Sequence, residues 1–156
     1  MTDTKPVDIA DEALTVLAEA GGIAAIMGVD PANLRIGVDL AKARRSAGAL
    51  GEALGLYATL ALMDMNEPDY QLGLADVAFE MGEYALCVQA ACCYVAQRPM
   101  RPEGYFLSGA ACLALGQIAE AREDLEDALR YAKEQRNAKI FERADRLIKI
   151  LDETAN

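Results

Sequence analysis

One stretch decides how this chain folds: residues 75–87, with the sequence ADVAFEMGEYALC. Gly82 stands near its centre, with a small residue seven positions before it and another five positions after it. Gly48 lies 34 residues before Gly82, and Gly116 lies 34 residues after it. Small residues recur at the same two offsets around the outer glycines: Ala41 and Ala53 for the first, Gly109 and Ala121 for the third. The pattern predicts one structural unit that occurs three times.

The spacing of 34 residues is the period of the tetratricopeptide repeat, a helix–turn–helix unit. Pro68 and Pro102 each stand fourteen residues before their glycine, at positions where a proline can open a helix. The chain has 30 Ala and 19 Leu against 20 Val, Ile and Thr combined, which favours helices over strands. A plain helical bundle in an alanine-rich chain is the alternative, but two equal intervals with matching small residues argue against it.

The flanking sequence completes an all-α architecture. Asp8–Ala20 carries apolar residues on one helical face, and Gly21 and Gly22 end that helix. After residue 139, apolar residues at three- and four-residue steps predict an amphipathic helix that covers the last repeat. We therefore expect three repeats in a short solenoid at residues 31–135, with an N-terminal helical segment at 1–30 and a C-terminal capping helix at 136–156.

Charge and residue content exclude several functions. The chain of 156 residues has 25 acidic and 15 basic side chains and a net charge of −10, which disfavours binding to nucleic acid or to an anionic membrane. It has no histidine, the commonest general base and metal ligand. We expect no enzyme activity, no catalytic residues, no metal and no cofactor. The N-terminus does not resemble a secretory signal, so we expect a soluble cytoplasmic protein.

The four cysteines, Cys87, Cys92, Cys93 and Cys112, lie in alanine-rich, helix-like sequence. Their spacing does not match the two-residue gaps of structural zinc sites. No neighbouring residue type would activate a thiolate for redox catalysis, which is the other alternative. We expect small buried thiols that take the place of alanine.

The inner face of the predicted solenoid is the candidate binding site, because the first helix of each repeat lines the concave surface. The residues three, six and ten positions before each glycine lie on one face of these helices. This face carries Val38, Lys42, Arg45, Leu72, Asp76, Phe79, Phe106, Ala110 and Leu113. Of these, Leu72, Phe79, Phe106 and Leu113 have no evident partner within the chain and predict a peptide-binding groove. The alternative is that the terminal helices fold over them.

The sequence resembles the class II chaperones of bacterial type III secretion, which are tetratricopeptide proteins. The resemblance spans roughly residues 8–135 and rests on three segments: GGIAAIMGV at 21–29, PDYQLGL at 68–74 and FLSGAACLALG at 106–116. It implies a non-enzymatic chaperone of the bacterial cytoplasm. Such a chaperone clamps an extended segment of a translocator, or of another secreted client, in its groove and keeps the client soluble before export. A generic repeat adaptor for other proteins would use the same groove.

One departure from that family concerns the first repeat. The family usually places tyrosines on its inner face, where this chain has Val38, Lys42 and Arg45. With Arg35, the two cations make a basic edge in an acidic protein. We expect them to contact acidic residues or carbonyls of the client; the alternative is that they balance local acids such as Asp39.

The N-terminal segment predicts weak self-association. Leu14, Leu17 and Ala18 form an apolar stripe, which Ile23 and Ile26 extend beyond the two glycines. A short helix is stabilised by packing, so an uncovered face favours a partner, and chaperones of the resembling family are commonly dimeric without client. Alternatively, the helix folds back onto its own first repeat.

Overall fold

Helices account for the regular structure of the described residues. The structure is a computed structural model that describes residues 9–154, with only the backbone described at residues 9–11, 14, 18 and 154. This part contains nine helices and no strand: α1 (Ile9–Ala20), α2 (Ile23–Met27), α3 (Pro31–Ser46), α4 (Leu50–Met63), α5 (Pro68–Met81), α6 (Tyr84–Gln97), α7 (Pro102–Ala114), α8 (Ile118–Glu134) and α9 (Ala138–Thr154). The all-α prediction is confirmed.

Proline and glycine set where the helices of each repeat begin and where the chain turns between them. Pro31, Pro68 and Pro102 each occupy the first turn of the first helix of a repeat, where no intrahelical N–H bond is lost. Asp30 caps α3, since its Oδ1 accepts a hydrogen bond of 2.8 Å from the Ala32 N–H. The three glycines of the 34-residue pattern turn the chain between paired helices with φ values of 77°, 77° and 75°.

Close contact between helices explains the small residues at the two repeated offsets. Five of the six have no exposed surface: Ala41, Ala53, Ala75, Cys87 and Ala121. The sixth is Gly109, where an added Cβ atom would lie 2.8 Å from Cγ of Leu125. A larger side chain at these positions would separate the helices, so the tetratricopeptide pattern has a direct packing cause.

The repeats stack in order. Each helix from α3 to α9 packs on the next, while α5 also packs on α7 and α7 on α9. The first helices of the repeats therefore form one layer, which α9 extends, and α4, α6 and α8 form the other. No helix in the described range is long and apolar enough to cross a membrane.

The N-terminal segment is tied to the repeats through its glycines. The predicted helix ends as expected at Gly21 and Gly22, which have φ values of 84° and 122°, although Asp8 lies outside the described residues. The Gly21 carbonyl accepts a hydrogen bond of 2.9 Å from the Met65 N–H. At Gly22, an added Cβ atom would lie 2.9 Å from the carbonyl carbon of Met63. The division at residues 31 and 136 stays a prediction.

The C-terminal helix covers more than the end of the solenoid. As predicted, α9 packs its apolar stripe against the last repeat, with Ile140, Ala144 and Leu151 buried. It also packs on α7, whose inner face carries Phe106 and Ala110. The inner layer is consequently α3, α5, α7 and α9.

Candidate functional site

Three depressions follow one another along the inner layer. The first, of about 580 Å³, lies between α3 and α5; the second and third, of about 200 and 250 Å³, lie where α5, α7 and α9 meet. Leu72 and Asp76 border both the first and the second, and Phe106 borders both the second and the third. The structure brings all nine predicted groove residues to these depressions; their role in binding stays a prediction.

Two tyrosines border the first depression, although α3 supplies none. Tyr57 comes from α4 and Tyr70 from α5, and both rings are buried. Burial raises the pKa of each phenol, so both stay neutral. Sequence reasoning missed them because it considered only the inner face of the first helices. Gly73 lies within α5, four residues after Asp69. A glycine inside this helix was the available sequence signal for a close neighbour, and the structure places the Tyr57 ring against it.

Arg45 closes one end of the first depression by joining two helices. Its Nη1 is 2.5 Å from Oδ2 of Asp76, and its Nε donates a hydrogen bond of 2.9 Å to Oε1 of Glu80, which Nη2 also contacts. The hydrogen bonds to Glu80 and Asp76 hold the pKa of the guanidinium above its ordinary value, against the effect of burial. The alternative of local charge balance therefore holds for Arg45, with partners on α5 in place of Asp39.

Lys42, the other basic residue of that predicted edge, is exposed and makes no ion pair with a described residue. It remains available to a ligand in the first depression. Val38 is half-buried beside it and packs against the core.

The expectation that Leu72, Phe79, Phe106 and Leu113 lack intramolecular partners is wrong, since all four pack against the core. Phe106 and Ala110 are only 5% and 7% exposed, because α9 folds over them, as the alternative expected. The guanidinium carbon of Arg143 lies 4.3 Å from the centroid of the Phe106 ring, a cation–π contact. Leu72, Phe79 and Leu113 are half-buried and present apolar surface to the depressions.

The C-terminal helix adds cations that the sequence analysis did not place in the groove. Lys139 and Arg143 line the second depression, and Arg143 and Arg146 line the third. These residues recur at four- and three-residue steps, which puts them on one face of α9. That spacing is visible in the sequence, but the sequence analysis assigned α9 to the cover of the last repeat and none of its residues to the groove.

Known structures share this arrangement of helices. A T3SS complex from Aeromonas hydrophila is 21% identical, with a TM-score of 0.83 over 95% of this chain and 98% of that chain. PcrH of Pseudomonas aeruginosa, in complex with the chaperone binding region of PopD, is 20% identical with a TM-score of 0.78 over 83% and 98%. SycD, the translocator chaperone of Yersinia enterocolitica, has been solved with a YopD peptide and as an alternative dimer; it is 19% identical with a TM-score of 0.77 over 82% and 98%.

This chain has the fold of the type III secretion translocator chaperones. No protein-family model matches it, and no curated protein sequence does. The translocator-chaperone fold is thus retained at about one identical residue in five. This is consistent with a fold that depends on small residues and turn glycines more than on particular side chains.

The cysteines of this translocator-chaperone fold fall into two classes. Cys87 and Cys112 are buried as predicted, whereas the prediction is wrong for Cys92 and Cys93, which are exposed on α6. Burial raises the pKa of Cys87 to about 12 and also raises that of Cys112. In the described part of the chain, no group of three or more acidic or cysteine side chains could hold a metal ion.

Proposed function

We propose that this protein is a non-enzymatic chaperone of the bacterial cytoplasm that binds an extended segment of a translocator in its groove and keeps that client soluble before type III export. The observation that carries the proposal is the row of three depressions on the inner layer, in a fold that PcrH and SycD use to hold translocator peptides.

The length and chemistry of the row suit an extended peptide. An extended chain spaces alternate side chains about 7 Å apart on one face, so alternate residues can enter successive depressions. Half-buried Leu72, Phe79 and Leu113 offer apolar anchoring surface. Asp76, Lys42 and the basic residues of α9 offer polar contacts at the rim. An acidic outer surface would keep a complex with an apolar client in solution.

The test is co-expression with the translocator subunits of the source organism, followed by purification of the complex and titration with the client segment. Leu72→Ala is the most informative variant for the groove, because Leu72 borders two depressions and is only half-buried. We expect it and Phe79→Ala to weaken client binding by about 1–4 kcal/mol.

Two exposed residues of α8 serve as controls, Ile118→Ala for loss of apolar surface and Glu123→Ala for loss of charge. Both should bind client as the wild type does. Client affinity that is unchanged in the folded Leu72→Ala and Phe79→Ala variants would contradict the groove assignment. Capture of an unrelated protein in place of a translocator would favour a repeat adaptor.

We further propose that the client-free protein forms a weak homodimer through its N-terminal segment. Val16, Ile26 and Met27 expose 52%, 56% and 67% of their surface, and Leu17 and Ile23 are half-buried. The side chains of Leu14 and Ala18 lie outside the described residues. Ile36 and Leu40, four residues apart on α3, add exposed apolar surface at the same end of the solenoid. SycD, which shares the fold, has been solved as a dimer.

A further inference from the structure

The third depression differs from the other two in its charges. Five apolar side chains form its walls: Phe79, Phe106, Ala110, Leu113 and Leu147. Its remaining lining residues are Arg143 and Arg146, and no described carboxylate lines it. The first depression, by contrast, is lined by four carboxylates and the second by two. A site of this composition attracts a ligand that is apolar and negatively charged at once.

Both arginines have N–H groups available for further hydrogen bonds. Arg143 uses its guanidinium for the contact with the Phe106 ring, and neither it nor Arg146 forms an ion pair with a described residue. Glu142 and Asp145 lie near Arg146 on the same helix. However, Asp145 accepts a hydrogen bond of 2.6 Å from Nζ of Lys149, and no ion pair joins Glu142 to Arg146 within the described contacts.

Arg143 and Arg146 lack ion pairs although the chain has ten more acidic than basic side chains. Of the 14 basic residues in the described range, eight, these two among them, form no ion pair, and six pair with acidic residues: Arg44, Arg45, Arg101, Arg122, Arg130 and Lys149. Two guanidinium groups on successive turns of one helix repel each other, and no described carboxylate forms an ion pair with either of them. A carboxylate bound between them would remove that repulsion and gain charge-assisted hydrogen bonds.

We propose that the third depression recognises an aspartate or glutamate side chain next to an apolar residue in the client segment. The apolar residue enters between Phe79 and Leu113, and the acidic side chain accepts hydrogen bonds from Arg143 and Arg146. This inference rests on the proposed function and adds a sequence requirement for the client: an acidic residue beside the anchor that reaches the C-terminal end of the groove.

The test uses a phage-displayed library of random dodecapeptides, joined to the coat protein through their C-termini so that no free terminal carboxylate competes. The library is selected on the wild type, on Arg146→Gln and on Arg146→Glu. Arg146 is exposed, so these substitutions leave the fold intact, which thermal melts verify. Lys133→Gln, which removes an exposed charge from α8, is the matched control.

We expect the wild type and Lys133→Gln to select peptides with Asp or Glu beside an apolar residue, and Arg146→Glu to select Lys or Arg at that position. For one selected peptide, replacing the acidic residue by its amide should weaken binding to the wild type about fivefold, and should have little effect on Arg146→Gln.

The outcomes separate the two proposals. Selection of apolar peptides without acidic residues, or the same acidic preference in Arg146→Glu, would overturn the carboxylate site and leave the peptide-binding groove in place. Failure of the wild type to enrich any peptide would overturn the proposed function, and the carboxylate site with it.

Discussion

Gly73 of α5 lies against the ring of Tyr57 of α4 so closely that an added Cβ atom would be 2.6 Å from both Cδ1 and Cζ of the ring. Real Cβ atoms do not approach an aromatic ring to that distance, so the two helices can adopt this spacing only with glycine at position 73. Tyr57 is 5% exposed and borders the first depression. The packing of the first two repeats and the shape of the groove therefore depend on the same contact.

The first prediction concerns this contact. Gly73→Ala should destabilise the protein by about 1–3 kcal/mol, because the buried ring must move or the helices must separate. Gly55→Ala on α4 is the matched control, since nothing lies within 4 Å of its added Cβ atom. We expect that control to gain about 0.5–1 kcal/mol from helix propensity. Urea denaturation measures both, and equal effects of the two substitutions would contradict the packing argument.

The second prediction compares the ion pairs of two neighbouring arginines by double-mutant cycles. Arg45 contacts Glu80 through two nitrogens and Asp76 through a third, whereas Arg44 makes a single contact of 3.2 Å to an exposed Glu52. The Arg45→Met and Glu80→Gln cycle should give a coupling energy of about 1–2 kcal/mol. The Arg44→Met and Glu52→Gln cycle should give at most about 0.5 kcal/mol. Similar coupling in both cycles would mean that Arg45 does not fasten α3 to α5.

The repeat architecture could be predicted because it depends on residues that act locally or at a fixed period. Proline opens a helix, glycine adopts a positive φ, and a small residue at a helix crossing is needed in every repeat. The position of α9 over Phe106 has no such period, since it depends on how one terminal helix packs on another. Phe106 therefore looked like an exposed anchor, and Arg143 and Arg146 like solvent-facing charges, until the tertiary structure brought them together.

The cysteines likewise include positions that could be predicted from the repeat and positions that could not. A small residue at position 87 was predictable from the repeat, and Cys87 is fully buried. Cys92 and Cys93 occupy positions of α6 that the repeat does not constrain, so their exposure could not be inferred from helical sequence alone.

The third prediction follows from that difference in exposure. In the native protein at neutral pH, Ellman's reagent should react quickly with Cys92 and Cys93, and with Cys87 and Cys112 only after unfolding. Counting thiols in the native and urea-unfolded protein measures this, and Cys92→Ala with Cys93→Ala is the variant that should lose the fast phase. Fast reaction of all four thiols in the native protein would show that α6 and α7 open readily.

The fourth prediction concerns alkaline pH. Burial raises the pKa of Cys87 from 9.0 to about 12, so above pH 9 the unfolded chain loses the thiol proton while the folded protein keeps it. The folded state then binds more protons, and its stability must fall as pH rises from 9 towards 12. Cys87→Ala should reduce this fall relative to the wild type, as measured by urea denaturation at pH 7 and pH 10. An equal fall in both proteins would contradict the burial effect.

The last prediction tests the proposed homodimer. Ile26 is 56% exposed, so Ile26→Asp should convert a weak dimer into a monomer without unfolding the chain. Ile118→Asp, at a residue 50% exposed on α8, is the control and should dimerise as the wild type does. Sedimentation velocity at high micromolar concentration gives the oligomeric state, and circular dichroism gives the helix content. Leu17→Asp separates the remaining alternative: loss of helix content there would mean that α1 packs on its own chain. A wild type that stays monomeric at these concentrations would overturn the dimer, because a closed two-fold interface must form between identical patches at some attainable concentration.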